Sequence, residues 1–422
     1  MSIFEIGAFL IGLCALFGYL NHRYLRLPHT IGMVVIALAA SLVVVLIEYL
    51  TPSSPVMEMV SGVLTQVDFY DTVMRGMLSF LLFAGALHVD FVAFRSRAPA
   101  IALMATVGML ISTFVIAWAT WFILNAFGIA MPFIWALVFG ALISPTDPVA
   151  VLGIFKSVSV PASLEAKMAG ESLFNDGIGV VVFTVVLGIA TGGNGHPDGI
   201  DVLSVAELFL TEAVGGALLG LIAGYAGYRA MYAVAEHNLE VLITLALVMV
   251  TYAIALRLHM SGPIAMVVAG LFIGNRGMKY AVSEPARDYI TKFWSLIDEI
   301  LNSVLFLLIG LEVLLIGLLF DNAGVAMLLI PVTLAARWLS VFVPITILSP
   351  WRSFSRGAIP ILTWGGLRGG IAVALALSLP LHEYKPMLLT ITYAVVLFSI
   401  IVQGLTIKPL VERIFAKGET LA

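Results

Sequence analysis

At 422 residues, 61% hydrophobic and only 11% charged, with a mean hydropathy of +1.09, the chain lies far from soluble globular proteins, in which roughly 25% of residues are charged. A water-soluble fold is excluded, and 38 Gly, 18 Pro and 17 Met suit packed, interrupted membrane helices. The net charge of −4 comes without a Lys/Arg block able to follow a phosphate backbone, so no nucleic-acid partner is expected, and the lone Cys14 excludes an internal disulfide.

A hydrocarbon layer about 30 Å thick asks for roughly 20 mostly apolar residues per helix, and that ruler predicts about thirteen spans. The first three lie near 3–20, 29–50 and 72–90. Only Ser2, Ile3, Phe4 and Glu5 precede the first apolar run, with neither the basic start nor the small-residue end of a cleaved signal, so that segment is expected to stay as a span. The fourth and fifth spans are placed near 98–125 and 131–156, and the fifth contains Ser144-Pro145-Thr146-Asp147-Pro148. Proline removes a donor and stops a helix. Non-helical backbone at membrane depth survives only against protein or a watery cavity. The sixth span, near 163–191, holds Glu171-Ser172-Leu173-Phe174-Asn175-Asp176-Gly177, in which Ser172, Asn175 and Asp176 fall at i, i+3 and i+4 and form one polar stripe.

After the Gly-rich link 191–201 come spans seven to eleven, near 203–230, 239–258, 261–276, 289–319 and 322–348. In the tenth, Asp298 and Glu299 lie toward the start, while Asn302 and Glu312 are expected to pack or to line an ion path. Arg337 sits mid-way along the eleventh, out of reach of either interface. The economical expectation is a buried pair with Glu171 that fixes span six against span eleven, because an unpaired buried charge is strongly destabilising. The twelfth span, 357–379, is broken by Gly365-Gly366-Leu367-Arg368-Gly369-Gly370, and the thirteenth covers 384–413. Arg368 is expected to neutralise carbonyl ends of interrupted helices. Glu5, Glu48, Asp90, Glu207 and Glu212 lie near span ends and read as residues reaching the interface.

Asp147 and Asp176 differ from these, because each combines mid-membrane depth with polar neighbours. Two carboxylates, a hydroxyl and freed carbonyls are the oxygens a hard monovalent cation takes on losing its water. Carboxylates that share a cavity titrate as a unit. A proton and a cation then compete for one place, and that competition is itself an exchange mechanism.

The two breaks are seven spans apart, so 1–191 and 239–413 read as two six-helix units of opposite orientation, linked by 203–230. Interrupted segments at matching positions of an inverted repeat point to a transporter's site. Of 21 Lys and Arg, Arg75, Arg257 and Lys385 fall on one side and Arg337 and Arg368 within spans, and the other 16 fall on the opposite side. That side is expected to be cytoplasmic, with the N-terminus outside and the C-terminus inside a multi-pass cell-membrane protein. The spans leave room for neither a soluble catalytic domain nor a cytoplasmic regulatory domain, so no enzyme and no cofactor is expected. The rival from another class is an intramembrane aspartyl protease, which also needs two buried Asp residues.

The combination of SPTDP at 144–148, ESLFND at 171–176, NSVLFLLIGLE at 302–312, AARWL at 335–339 and GGLRGG at 365–370 resembles the NhaP/NHE branch of the cation/proton antiporters. The resemblance implies a thirteen-helix, NhaA-like all-α fold and a homodimer in which a core carries the ion as an elevator against a dimerisation domain. It implies Asp176 as the ion- and proton-binding acid, with Asp147, Ser172 and the Thr146 carbonyl around the Na⁺. It also implies Glu171–Arg337 as a buried ion pair and Arg368 as the basic residue of the broken twelfth helix. The Asn175-Asp176 order is similar to that of electroneutral members, which implies one Na⁺, or Li⁺, for one H⁺. K⁺/H⁺ exchange on the same scaffold is the alternative. Ala84 departs from the pattern, since some members carry there an acid that contacts the ion through water.

Overall fold

A computed structural model describes residues 2–51, 60–62, 64–89, 91–155, 158, 160–192, 202–234, 236–282, 284–316, 323–352, 354–355 and 357–416. Among them the only regular structure is helical. In chain order the α-helices of seven or more described residues are α1 (Ile3–Leu20), α2 (His29–Leu50), α3 (Leu78–Leu87), α4 (Phe91–Leu103), α5 (Met109–Ala126), α6 (Phe133–Ile143), α7 (Val149–Phe155), α8 (Ala162–Ala190), α9 (Val202–Tyr232), α10 (His237–Arg257), α11 (Gly262–Phe272), α12 (Glu284–Ile316), α13 (Ala323–Leu348), α14 (Ala358–Trp364), α15 (Gly370–Leu377), α16 (Lys385–Phe398) and α17 (Gly404–Ala416). Eight helical stretches among the described residues are long and apolar enough to cross a membrane, and α8 and His29–Leu50 are two of them. Asp90 and residues 193–201 lie outside the described residues.

Three features differ from the hydropathy reading. Helix α4 begins at Phe91 rather than near 98, and α12 begins at Glu284 rather than near 289. Each therefore carries charged residues in its first turns, because straight-chain Arg and Glu are good helix formers and a hydropathy window stops at charge, not at the end of helical backbone. Among the described residues, five π-helical segments, Asn21–Leu25, Asp71–Met77, Met104–Gly108, Ile273–Gly277 and Ser399–Gln403, interrupt or flank the spans. Such wide turns change no hydropathy value and often mark functional positions.

The helices segregate into two sets. In one, α6 packs on α5 and α8, α13 packs on α5 and α16, and α15 packs on α16. In the other, α2 packs on α12, and α11 packs on α3, α9 and α10. Trp294 anchors the second set, fully buried, its ring 4.7 Å from that of Phe83 in α3 and its indole N–H donating to Thr244 of α10 at 3.0 Å. Helix α8 borders both, touching α6 on one side and α11 on the other.

The two interrupted spans cross inside the first set. Helix α6 ends at Ile143, and Asp147 restarts the chain as α7 by accepting the Val149 N–H at 3.0 Å. Helix α14 ends at Trp364, and α15 starts at Gly370. Where the breaks meet, the Asp147 backbone N–H donates to the Leu367 carbonyl at 2.8 Å. A freed donor of one unwound segment thus meets a freed acceptor of the other, within protein, where non-helical backbone can persist in a membrane.

Candidate functional site

Helix α8 passes beside the first break and ties to it through three side-chain contacts. The Asn175 carboxamide is spent on Thr146, its Oδ1 accepting the Thr146 N–H at 3.3 Å and its Nδ2 donating to Thr146 Oγ1 at 2.8 Å. One turn earlier the Ser172 hydroxyl donates to the Thr146 carbonyl. Thr146, Ser172 and Asn175 are all buried. The stripe read at i, i+3 and i+4 therefore faces the break, and its last member, Asp176, lies within electrostatic reach of Asp147.

Asp176 is buried and accepts no hydrogen bond among the described residues. Asp147 is partly buried, its Oδ1 held by Val149 N–H and its Oδ2 lying against Gly369, where a Cβ would overlap the carboxylate. Glycine at 369 is thus required by close approach rather than by backbone conformation. Four residues bring oxygens to the side of the first break: Ser172 through a hydroxyl in contact with the Thr146 carbonyl, Asp147 as the next residue of the break, and Asp176 next to Asn175 on α8. This is a hard-donor set.

Two arginines flank it. Arg368, 3% exposed, donates through Nη1 to the Ser144 carbonyl and to the Pro145 carbonyl, the latter at 3.0 Å, so a cation sits on the acceptors that the broken α6 leaves bare. Arg337 reaches from α13 to Glu171 of α8, its Nη2 donating to Oε2 at 3.0 Å and its Nη1 to Oε1. Both groups are almost fully buried. The same guanidinium also donates to the Leu362 carbonyl through Nε and Nη2, at 3.2 and 3.0 Å, so it binds α8 and α14 at once. Its Nε lies where a Cβ on Gly366 would stand.

Two participants escape a reading of the sequence. Ser399 accepts the Arg368 backbone N–H at 2.9 Å and donates to Gln403 Oε1 at 2.7 Å, while Gln403 Nε2 donates to the Trp364 carbonyl at 2.9 Å. This clamp, on the π-helical segment 399–403, holds both ends of the second break. The available signal was an amide in an apolar span, four residues from a serine.

The remaining candidates lie apart from these contacts. Asn302 Nδ2 donates to the Asp298 carboxylate at 3.1 Å, the Glu299 carbonyl accepts from Ser303, and Glu312 is buried with no hydrogen bond to either Asp147 or Asp176. Ala84 is fully buried, and its carbonyl is 2.6 Å from His88 Nδ1. Glu5 is exposed, in a capping box with Ser2.

Residues 11–413 match the family model described as the transmembrane sodium/hydrogen exchanger. The chain is 48% identical over 417 residues to the Na(+)/H(+) antiporter NhaP of Pseudomonas aeruginosa, covering 98% of this chain and 97% of that one. It is 35% identical to the Na(+)/H(+) antiporter NhaH of Halobacillus dabanensis, over 93% of each. Its fold matches the sodium proton antiporter MjNhaP1 of Methanocaldococcus jannaschii with a TM-score of 0.77 at 19% identity, across 98% of this chain and 99% of that structure.

Proposed function

The chain belongs to the sodium/hydrogen exchanger family, and from that premise we propose that it exchanges Na⁺ for H⁺ by alternating access, with Asp176 holding one or the other. It is a multi-pass membrane transporter rather than an enzyme. The observation that carries the assignment of the site is the docking of α8 onto the first break, where Thr146 is bonded by both Ser172 and Asn175. That docking supports a site shared by the oxygens of Asp147, Asp176, Ser172 and Thr146.

In this reading Na⁺ binds Asp176, Asp147, the Ser172 hydroxyl oxygen and the Thr146 carbonyl. The Ser172 proton turns away from Thr146 so that both oxygens face the cation. Protonation of Asp176 removes the charge that holds Na⁺, so one ligand leaves as the other arrives. Asn175 is fully engaged by Thr146 and brings no charge, which supports an electroneutral exchange of one Na⁺, or Li⁺, for one H⁺. Glu171 and Arg337 keep α8 against α13 and α14, and Arg368 keeps the carbonyl ends of the broken helix neutralised.

The helix set containing both breaks is the moving unit of an elevator, and the set around α2, α3 and α9 to α12 is the fixed scaffold of a homodimer. The crossing of two breaks, one from each half of the chain, supports the inverted-repeat division at 1–191 and 239–413. The distribution of Lys and Arg supports an outside N-terminus and a cytoplasmic C-terminus in the cell membrane.

Purified protein in liposomes tests the reading. Asp176→Asn reduces Na⁺-driven proton movement to the level of protein-free vesicles while the variant stays folded, and retained exchange removes Asp176 from the mechanism. An imposed membrane potential leaves the wild-type rate unchanged if exchange is electroneutral, and acceleration contradicts that. Titration with Na⁺, Li⁺ and K⁺ in the same assay separates sodium from potassium exchange.

A further inference from the structure

Beyond the transport site, the face richer in basic residues carries a cleft of about 370 Å³ between the middle of α4, the start of α8 and the link from α13 to α14. Arg97, Lys167 and Arg352 line it, one from each element, together with the hydroxyls of Ser96, Ser163 and Ser355, and among the described residues no carboxylate lines it. Positive charge from three separate elements thus faces one cleft, a setting that favours an anion.

Lys167 is the informative member. Its side chain is only 5% exposed, a rare state for lysine. Among the described residues its ammonium has neither a carboxylate nor a carbonyl partner and rests 4.4 Å from the centre of the Phe354 ring, which supplies attraction but no acceptor. The surrounding hydroxyls are already oriented: Ser163 and Ser355 lie 2.9 Å apart across the cleft, Arg97 donates to Ser96 Oγ at 2.9 Å, and Arg352 donates to the Ser96 carbonyl at 3.0 Å. Ser163 also lies in the first turn of α8, where the helix dipole favours negative charge.

We propose that this cleft binds a phosphate group. Planar guanidinium groups and an ammonium, with hydroxyl donors beside a helix start, match the several acceptor oxygens of a phosphate. Chloride has a single centre and would leave most of these donors unused. The phosphate comes from an anionic lipid headgroup at the membrane surface or from a soluble phosphate. Because α8 also carries Glu171 and Asp176, an occupant would bridge the helix of the transport site to α4 and to the α13–α14 link.

The test is thermal unfolding of the full-length protein in neutral detergent at fixed ionic strength. It is titrated with inorganic phosphate in one arm and with a short-chain phosphatidic acid in the other, against a short-chain phosphatidylcholine control. The cleft predicts a saturable rise in Tm in at least one of the first two arms and none in the third. A response to phosphatidic acid alone assigns the source to lipid, and a response to inorganic phosphate assigns a soluble ligand. Lys167→Gln should move the midpoint upward at least tenfold, whereas Lys408→Gln, on α17, should not. Ser163→Asp puts a like charge in the cleft at a position where a helix start tolerates acids, so it should abolish the response while the protein remains folded. The proposal is overturned if neither phosphate compound gives a saturable rise, or if the rise survives both Lys167→Gln and Ser163→Asp unchanged.

Discussion

Glu171 and Asp176 stand five residues apart on one buried helix and meet opposite surroundings. Glu171 is gripped by a two-pronged Arg337 that also holds the Leu362 carbonyl. Asp176 has a second carboxylate as its charged neighbour and no donor among the described residues. A buried carboxylate held by a guanidinium is neutralised at all times and fixes structure. One left without such a partner is neutralised only by what arrives from solution, which is the difference expected between a structural acid and, on the proposed function, an exchanging one.

The largest effect expected from disturbing this contrast falls on the paired acid. Removing one partner leaves an uncompensated buried charge, so Arg337→Ala or Glu171→Ala should cost about 3 kcal/mol or more in stability. Thermal melts of both singles and of the double variant check it, with the double well short of additive. Strict additivity would mean that the two groups do not interact.

A smaller effect is expected on the other side of the site. Gly369→Ala places a methyl group on the Asp147 carboxylate, and such overpacking costs roughly 1–3 kcal/mol. Displacement of that carboxylate should weaken Na⁺ affinity about tenfold, the equivalent of 1.4 kcal/mol. Na⁺ titration of antiport in vesicles measures it, and an unchanged affinity would remove Asp147 from the ligand set.

Ser399→Ala should have the mildest consequence. It takes the acceptor from the Arg368 N–H, a loss of about 1 kcal/mol in stability. Melting curves should show a modest shift with exchange retained. A loss of transport without loss of stability would assign Ser399 a direct part in the ion path.

The breaks themselves were legible because proline pairs and double glycines have few other uses inside apolar spans. The Glu171–Arg337 contact was legible for a different reason: two charges at that depth leave few solutions other than each other. Ser399 and Gln403 were not, because neither residue is costly enough in a span to demand a partner, and the π-helical segment that aims them leaves no mark on hydropathy. The early starts of α4 and α12 were missed for another reason, since charge ends an apolar window but not a helix. The contact between Arg368 and the Ser144 and Pro145 carbonyls depends on how two distant breaks cross, which spacing along the chain does not encode.

The most direct test is to count protons when Na⁺ binds. Purified protein in weak buffer with a pH dye, titrated with NaCl against a choline chloride control, should release about one proton per Na⁺ bound, since cation binding to a carboxylate expels its proton. Asp176→Asn should release none. Na⁺ binding by the wild-type protein without proton release, or undiminished release from Asp176→Asn, would contradict competition between the two ions at this carboxylate.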